Sequence, residues 1–295
     1  MTNIYEQVDR NRTKSFLVMI GFFIFVVLAG WLISQALEWG ITGLIFALIL
    51  ASGSTLTSYY YGDKIALALA RAKPANRKTA PGLYSAVENL SRVAQIPTPK
   101  IYISPDSAMN AFATGRNPQK ASLCVTKGLL DNLNQTELEG VVGHEIAHIK
   151  NLDTRLFAIV AVLIGMITIL SRFAFYSNPR QDQDREGGGI LFFLGIFAAI
   201  LSPLIGQLIQ LAISRRREFL ADASSSLLTK QPSGLIAALK KLSQNHQPLR
   251  TANTATAHFY IVNPFLSKGK LSGLAKLFNT HPPIEERVAE LEKMV

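Results

Sequence analysis

The 295-residue chain holds a single cysteine, Cys124, so an internal disulfide is excluded and nothing demands an oxidising compartment. Cys124 lies in the run Ala121-Ser122-Leu123-Cys124-Val125-Thr126 and reads as a buried thiol rather than a nucleophile. Charge is also scarce. Only 17% of residues are charged against 48% hydrophobic, and the mean hydropathy is positive, which suits a membrane protein better than a soluble globule. Acidic residues are the scarcer sign, 20 against 30 Lys and Arg, for a net charge of +10. A nucleic-acid partner is not implied, because no basic run interleaved with stacking aromatics occurs outside the loops flanking apolar segments. Internal repeats and extended low-complexity segments are absent from the sequence.

What is present is a set of long apolar runs: Phe16 to Leu37, Ile41 to about Tyr60, Leu156 to Tyr176 and Ile190 to Ile213. Each reaches or approaches the roughly 20 residues that a membrane-spanning helix needs. Basic residues mark one side. Arg10, Arg12 and Lys14 precede the first run, Lys64, Arg71, Lys73, Arg77 and Lys78 follow the second, and Arg215, Arg216 and Arg217 follow the fourth. The opposite loops are a short Glu38-Trp39-Gly40 turn and a charge-balanced stretch from Ser177 to Gly189. The positive-inside rule then puts both termini in the cytoplasm. The chain divides into a first hairpin (1–60), a soluble piece (61–153), a second hairpin (154–213) and a second soluble piece (214–295). Tyr59-Tyr60-Tyr61 falls where the second run meets the cytoplasm, as an interfacial aromatic belt does.

In the first soluble piece a helix is expected over Gly82 to Ala94, started by Pro81. Short extended runs at Lys100 to Ser104, Ala111 to Thr114 and Ala121 to Thr126 read as a small antiparallel meander. From Thr136 the pattern turns helical, with Thr136 and Glu139 spaced as a capping box. Further helices are expected near Glu218 to Leu228, Ser233 to Asn245 and Pro283 to Met294.

The helix from Thr136 carries Gly143-His144-Glu145-Ile146-Ala147-His148. A helix brings residues i and i+4 onto one face, so His144 and His148 can share one zinc ion, with Glu145 beside the metal to take a proton from water. In a chain with only 5 histidines a chance match to this pattern is improbable. Catalytic zinc usually has three protein ligands, so a third is needed from His246, His258, His281 or an acid. Glu218 follows the second hairpin and returns to the membrane face where His148 precedes it. Asp222, one turn beyond, is placed to accept an imidazole N–H. The alternative is that both acids neutralise Arg215, Arg216 and Arg217. Asn110, Ala111 and Phe112 open a candidate substrate-binding edge strand, against the plainer reading of an inner strand. His281, ahead of Pro282-Pro283, is a candidate partner of substrate or oxyanion, or else a structural cap.

Together with Glu218-Phe219-Leu220-Ala221-Asp222, this motif resembles the HtpX family of bacterial membrane zinc metalloproteases, relatives of the CAAX prenyl proteases. Met109 to Gly115, the pair Asn151 and Asp153, and Thr280 to Arg287 extend the resemblance from the first apolar run to the C-terminus. The resemblance implies a mainly α membrane protein, with four transmembrane helices and a split cytoplasmic zincin-like α+β catalytic domain containing a small antiparallel sheet. It implies one zinc ion per chain on His144, His148 and Glu218, with Glu145 as base and Asp222 orienting a ligand. It also implies a bacterial inner-membrane, stress-related quality-control enzyme whose partners are the lipid bilayer and unfolded or misfolded proteins. A homo-oligomer stays open. The rival readings are a CAAX-type processing enzyme, a zinc scaffold without turnover and a small-molecule transporter. Glu145 argues against the scaffold, and the scarcity of charges and helix breaks within the apolar runs argues against the transporter.

Overall fold

The chain begins with two long helices, α1 (Ile4–Ala36) and α2 (Gly40–Leu69), folded back on each other. In the computed structural model the described residues are 4–36, 39–176, 215–245, 247, 249, 259–261 and 282–294. The expected fourth span and His281 lie outside them. At 1.5 Å per residue α1 and α2 are about 50 and 45 Å long, more than a bilayer's hydrocarbon thickness. Both contain windows apolar enough to cross a membrane, Asn11–Leu28 and Gly40–Leu69. Phe16, Leu17, Ile24, Ile41, Phe46 and Ile49 are each at least half exposed. Long apolar side chains turned outward on both helices suit a lipid surround and would be costly in water. α2 does not stop near Tyr60, as expected, but runs on to Leu69, because Ala66, Leu67 and Ala70 bury beneath the sheet.

α6 (Asp153–Tyr176) covers the third apolar run and packs on both helices, with Ile159 and Leu163 against Phe22, Val26 and Ala51. Ser58 on α2 donates its hydroxyl to the Ile159 carbonyl at 3.2 Å, which fixes the two helices in register.

Between the long helices lies a four-stranded sheet: β1 (Lys73–Pro74), β2 (Lys100–Ser104), β3 (Ala111–Thr114) and β4 (Ser122–Thr126), in the order β1-β2-β4-β3. The expected antiparallel meander is corrected to a mixed sheet. β2 and β4 run parallel, with Tyr102 opposite Cys124, while β3 and β4 run antiparallel, with Phe112 opposite Cys124. β4 takes the centre because every one of its residues is buried, which suits a strand covered on both faces. Leu123 and Val125 point to one core with α3 (Pro81–Ala94) and Val141, Val142 and Ile146. Cys124 points to the other, with α2, Leu156 and Phe157 of α6, and Phe259. β3 is thereby left as an edge strand.

After the short α4 (Lys127–Asn132) comes α5 (Gln135–Lys150), the helix that carries the motif. Its capping box is Asn134 with Glu137, not Thr136 with Glu139. The Asn134 carbonyl oxygen of the side chain accepts the Glu137 N–H at 2.9 Å, and the Glu137 carboxylate accepts the Asn134 N–H at 2.9 Å. Asn134 has the extended backbone that this position requires, so it outcompetes the equally spaced Thr136. Then follow α7 (Arg215–Thr229), α8 (Pro232–Gln244) and α9 (Ile284–Glu292), all packed around α5 or α8. Contact between α5 and its neighbours is very close. A side chain added at Gly140 would lie 2.6 Å from the Leu235 backbone nitrogen, and at Gly143 2.7 Å from the Ser225 hydroxyl. These two glycines let α7 and α8 approach α5 at backbone distance, and Ser225 donates to the Gly140 carbonyl at 2.7 Å.

Candidate active site

α5 presents His144 and His148 one turn apart, with their Nε2 atoms 3.1 Å from one another. Each ring is fixed from behind. His144 Nδ1 lies 2.9 Å from Asp222 Oδ1, and His148 Nδ1 lies 2.9 Å from Asp153 Oδ2. Donation of both Nδ1–H groups to carboxylates leaves both Nε2 lone pairs facing the same point. Glu218, from the first turn of α7, completes that point, with its oxygens 3.6 Å from His148 Nε2 and 3.7 Å from His144 Nε2. These separations exceed a hydrogen bond. They match the roughly 3.4 Å expected between two ligands of one tetrahedral zinc with bonds near 2.0–2.2 Å. The three residues are buried and their ligand atoms all lie within 4.8 Å of one another.

Charge balance points the same way. Glu145, Asp153, Glu218 and Asp222 are buried acids, against the two buried guanidiniums Arg217 and Arg287. With all four acids ionised and both imidazoles neutral, the surplus of two negative charges is what a divalent cation neutralises. The donor set therefore fits a metal ion.

The titration behaviour follows from burial and partners. Two imidazoles whose Nε2 atoms lie 3.1 Å apart do not both become imidazolium. Burial lowers His144 to about 4 against the opposing hydrogen bond that its Nδ1–H donates to Asp222, so it stays neutral. Burial also opposes charge on His148, but the Asp153 hydrogen bond and the Glu218 and Glu145 carboxylates outweigh it and push it up to about 9. Burial pushes Glu145 up to about 7, aided by Glu218 and opposed by His148 and the Ala113 N–H that it accepts. Despite burial, Asp222 is held below the usual carboxylate range by Arg287 and His144.

Four contributors escaped the sequence reading of the site. Asp153 reaches His148 because α5 ends at Lys150 and Leu152 takes a left-handed backbone, φ 58°, turning the chain back on itself. Such a conformation is uncommon for leucine and marks a locally constrained turn. Arg287 from α9 is fully buried. It donates to Asp222 at 2.6 and 2.8 Å and to the Ile261 carbonyl at 3.1 Å, so it clamps the carboxylate that orients His144. Asn11 from α1 donates to Asp153 and to the Asn151 carbonyl, and Arg217 lies 3.6 Å from Asp153. The only available signal was their membership of the segments that carry the resemblance, as with Asp153 and Arg287.

At the candidate substrate strand, the Ala113 N–H faces Glu145 and the Ala111 carbonyl accepts the Ile261 N–H at 3.2 Å. The free side of β3 thus borders the motif helix at Ala113, while at Ala111 it meets the chain at 259–261. Alternation along the strand turns the peptide groups of Phe112 toward β4. The Phe112 ring is buried, 5.7 Å from Phe259 and 5.4 Å from Tyr260 between centroids, so its side chain belongs to the core. Asn110 is buried, with its Oδ1 accepting the Ala111 N–H at 3.1 Å and its backbone tied to Thr126. Tyr260 packs in the same cluster.

Comparison with known proteins agrees with this geometry. Residues 77–295 match the profile of peptidase family M48. A Protease HtpX homolog of Dictyoglomus turgidum is 42% identical over 294 residues, covering 98% of this chain and 94% of its own length. Homologs with the same name from Thermoanaerobacter pseudethanolicus and Streptococcus pneumoniae are each 40% identical, covering 99% of this chain and 98% and 100% of theirs. Among solved structures, that of S. mikatae Ste24p aligns with a TM-score of 0.48 and 16% identity, over 99% of this chain and 66% of that one. With near-full-length likeness at this level and a buried His-His-Glu cluster, the chain belongs to peptidase family M48, as a metalloprotease of the HtpX group.

Proposed function

We propose that the protein is a membrane endopeptidase holding one zinc ion per chain on His144, His148 and Glu218. The observation that carries the reading is the convergence of two Nε2 atoms and one carboxylate, with both Nδ1 atoms committed to Asp222 and Asp153. When bound, zinc supplies Lewis acidity, lowering the pKa of a water and polarising a carbonyl. Glu145 takes the proton of the attacking water at its carboxylate and returns it to the amine nitrogen as the peptide C–N bond breaks. Burial, which pushes the Glu145 carboxyl up, favours the protonated form that it needs for the second duty. An extended peptide added to the outer edge of β3 displaces the Ile261 N–H from the Ala111 carbonyl and takes over that main-chain bond, so Asn110, Ala111 and Phe112 act as strand framework rather than as side-chain readers. His281 is retained as a proposed substrate contact.

The same reading gives four transmembrane helices, both termini in the cytoplasm, and a catalytic domain split between residues 61–153 and 214–295 of a bacterial inner-membrane protein. Damaged or misfolded proteins, including membrane proteins, are its substrates, which accords with recognition of backbone rather than of sequence. The test is Glu145→Gln in the full chain. Peptidase activity on an unfolded protein should fall at least about 10²-fold while one zinc per chain is retained. Wild-type turnover in that variant would remove Glu145 from its role.

A further inference from the structure

Away from the motif, the ends of α1, α2 and α6 enclose a pocket of about 480 Å³ lined by Arg12, Phe16, Met19, Tyr59 and Arg155. We propose that it is a binding site for the phosphate headgroup of an anionic phospholipid. The proposal rests on the reading that α1 and α2 cross the bilayer. Three helices reach the pocket at one level. Asn11, beside Arg12, is hydrogen-bonded to Asp153, two residues before Arg155, and Ser58, beside Tyr59, is bonded to Ile159, one turn after it. The apolar window of α1 opens at Asn11 and the first uninterrupted apolar run at Phe16, so the proposed spans put this level near the membrane boundary.

Charge at the pocket is of one sign. Arg12 and Arg116 both lie close enough to Arg155 to repel its charge, and the Arg155 Nε–H donates to the Arg116 carbonyl at 2.8 Å. Arg116 also covers the Tyr60 and Tyr59 rings, 4.6 and 5.5 Å from their centroids. Among the described residues no carboxylate lies within ion-pair distance of Arg12, Arg116 or Arg155. The fully buried guanidiniums Arg287 and Arg217 are matched with Asp222 and Asp153, whereas Arg12 is exposed and Arg116 and Arg155 are half-buried. Three clustered cations without an anion carry a repulsion that a phosphate relieves by bidentate hydrogen bonding.

Polarity changes in the direction that a lipid requires. Arg12, Phe16 and Met19 follow one another on a single face of α1, so the wall passes from guanidinium to apolar going into the span. Phe16 is 60% exposed, ready to lie against an acyl chain. A soluble anion would use the rim only. The acyl wall is what selects a lipid.

The site is also wired to the catalytic part. Arg155 holds the carbonyl of Arg116, and Thr154 donates to the carbonyl of Gly115 at 2.9 Å, both directly after β3. A bound headgroup therefore braces the end of the candidate substrate strand.

The full chain purified in an uncharged detergent is probed with phosphatidylglycerol, phosphatidylcholine and inorganic phosphate, by native mass spectrometry and thermal unfolding. Phosphatidylglycerol should be retained and should raise Tm, and the other two should do neither. Exposed Arg12 makes R12Q a fold-neutral variant. R12Q/R155Q should weaken phosphatidylglycerol binding by about tenfold or more. Unchanged binding by the double variant overturns the proposal, as does equal protection by inorganic phosphate. Retention of wild type and variant in membranes after an alkaline wash reports on the spans separately from the lipid site.

Discussion

Asn11 donates its side-chain N–H to Asp153 at 2.6 Å, while the other oxygen of the same carboxylate lies 2.9 Å from His148 Nδ1. A residue near the start of the first long helix is therefore two hydrogen bonds from an imidazole of the proposed metal site. Replacing it with leucine, similar in size but without a donor, should free Asp153 to rotate. Zinc affinity, measured by chelator competition, should drop by about tenfold, the lower end of what such supporting bonds are worth. Unchanged affinity would show that α5 and α6 orient Asp153 alone.

The Arg287–Asp222 pair makes a stability prediction. Both partners are buried, so Arg287→Met leaves a carboxylate stranded and should destabilise the protein by about 3–5 kcal/mol. Adding Asp222→Asn removes that charge. The double variant should then lose less than the two single losses combined, and denaturant titration of all four proteins measures the coupling.

On the proposed metal site, zinc and protons compete at His148. Its raised pKa means that the protonated ring stabilises the metal-free fold fully below about pH 6.5 and ceases to do so as pH rises through about 9. The Tm of chelator-stripped protein should fall across that window. Zinc affinity should rise across the same window, because binding must expel this proton. A metal-free Tm that is flat or rising between pH 6.5 and 9 would contradict the assignment.

Gly140→Ala tests the packing that brings α7 and α8 to α5. The added methyl would meet backbone at Leu235 rather than a mobile side-chain end. A loss of about 1–3 kcal/mol is expected. A Tm equal to wild type would mean that the helices separate at no cost.

Cys124 should be inert in the folded protein. Burial raises its thiol pKa well above the ordinary value, and the side chain lies between β4 and α2. Iodoacetamide should label it only after denaturation, and labelling under native conditions would show that the sheet opens.

How far all this could be read beforehand depends on the distance over which each feature is decided. His144 and His148 are related by one helical turn, and Asp222 stands in the same relation to Glu218, so helix periodicity alone brings each pair to one face. Strand positions were legible from local composition, but their order was not. Adjacent runs suggested a meander, whereas the two-sided burial of β4 puts it between strands that flank it in space rather than in sequence. The capping box slid by two residues because Asn134/Glu137 and Thr136/Glu139 share one spacing, and only the backbone angle at Asn134 separates them. Asp153 depends on one left-handed leucine, and Arg287 and Asn11 act across 143 and 142 residues, which no local pattern encodes.

The longer of these separations has a consequence for the enzyme's own biogenesis. Because the carboxylate behind His144 is clamped by Arg287, 143 residues beyond that histidine, a growing polypeptide holds the paired imidazoles long before it holds this fastening. Translation must therefore reach α9 before the Asp222 carboxylate is fixed behind that ring.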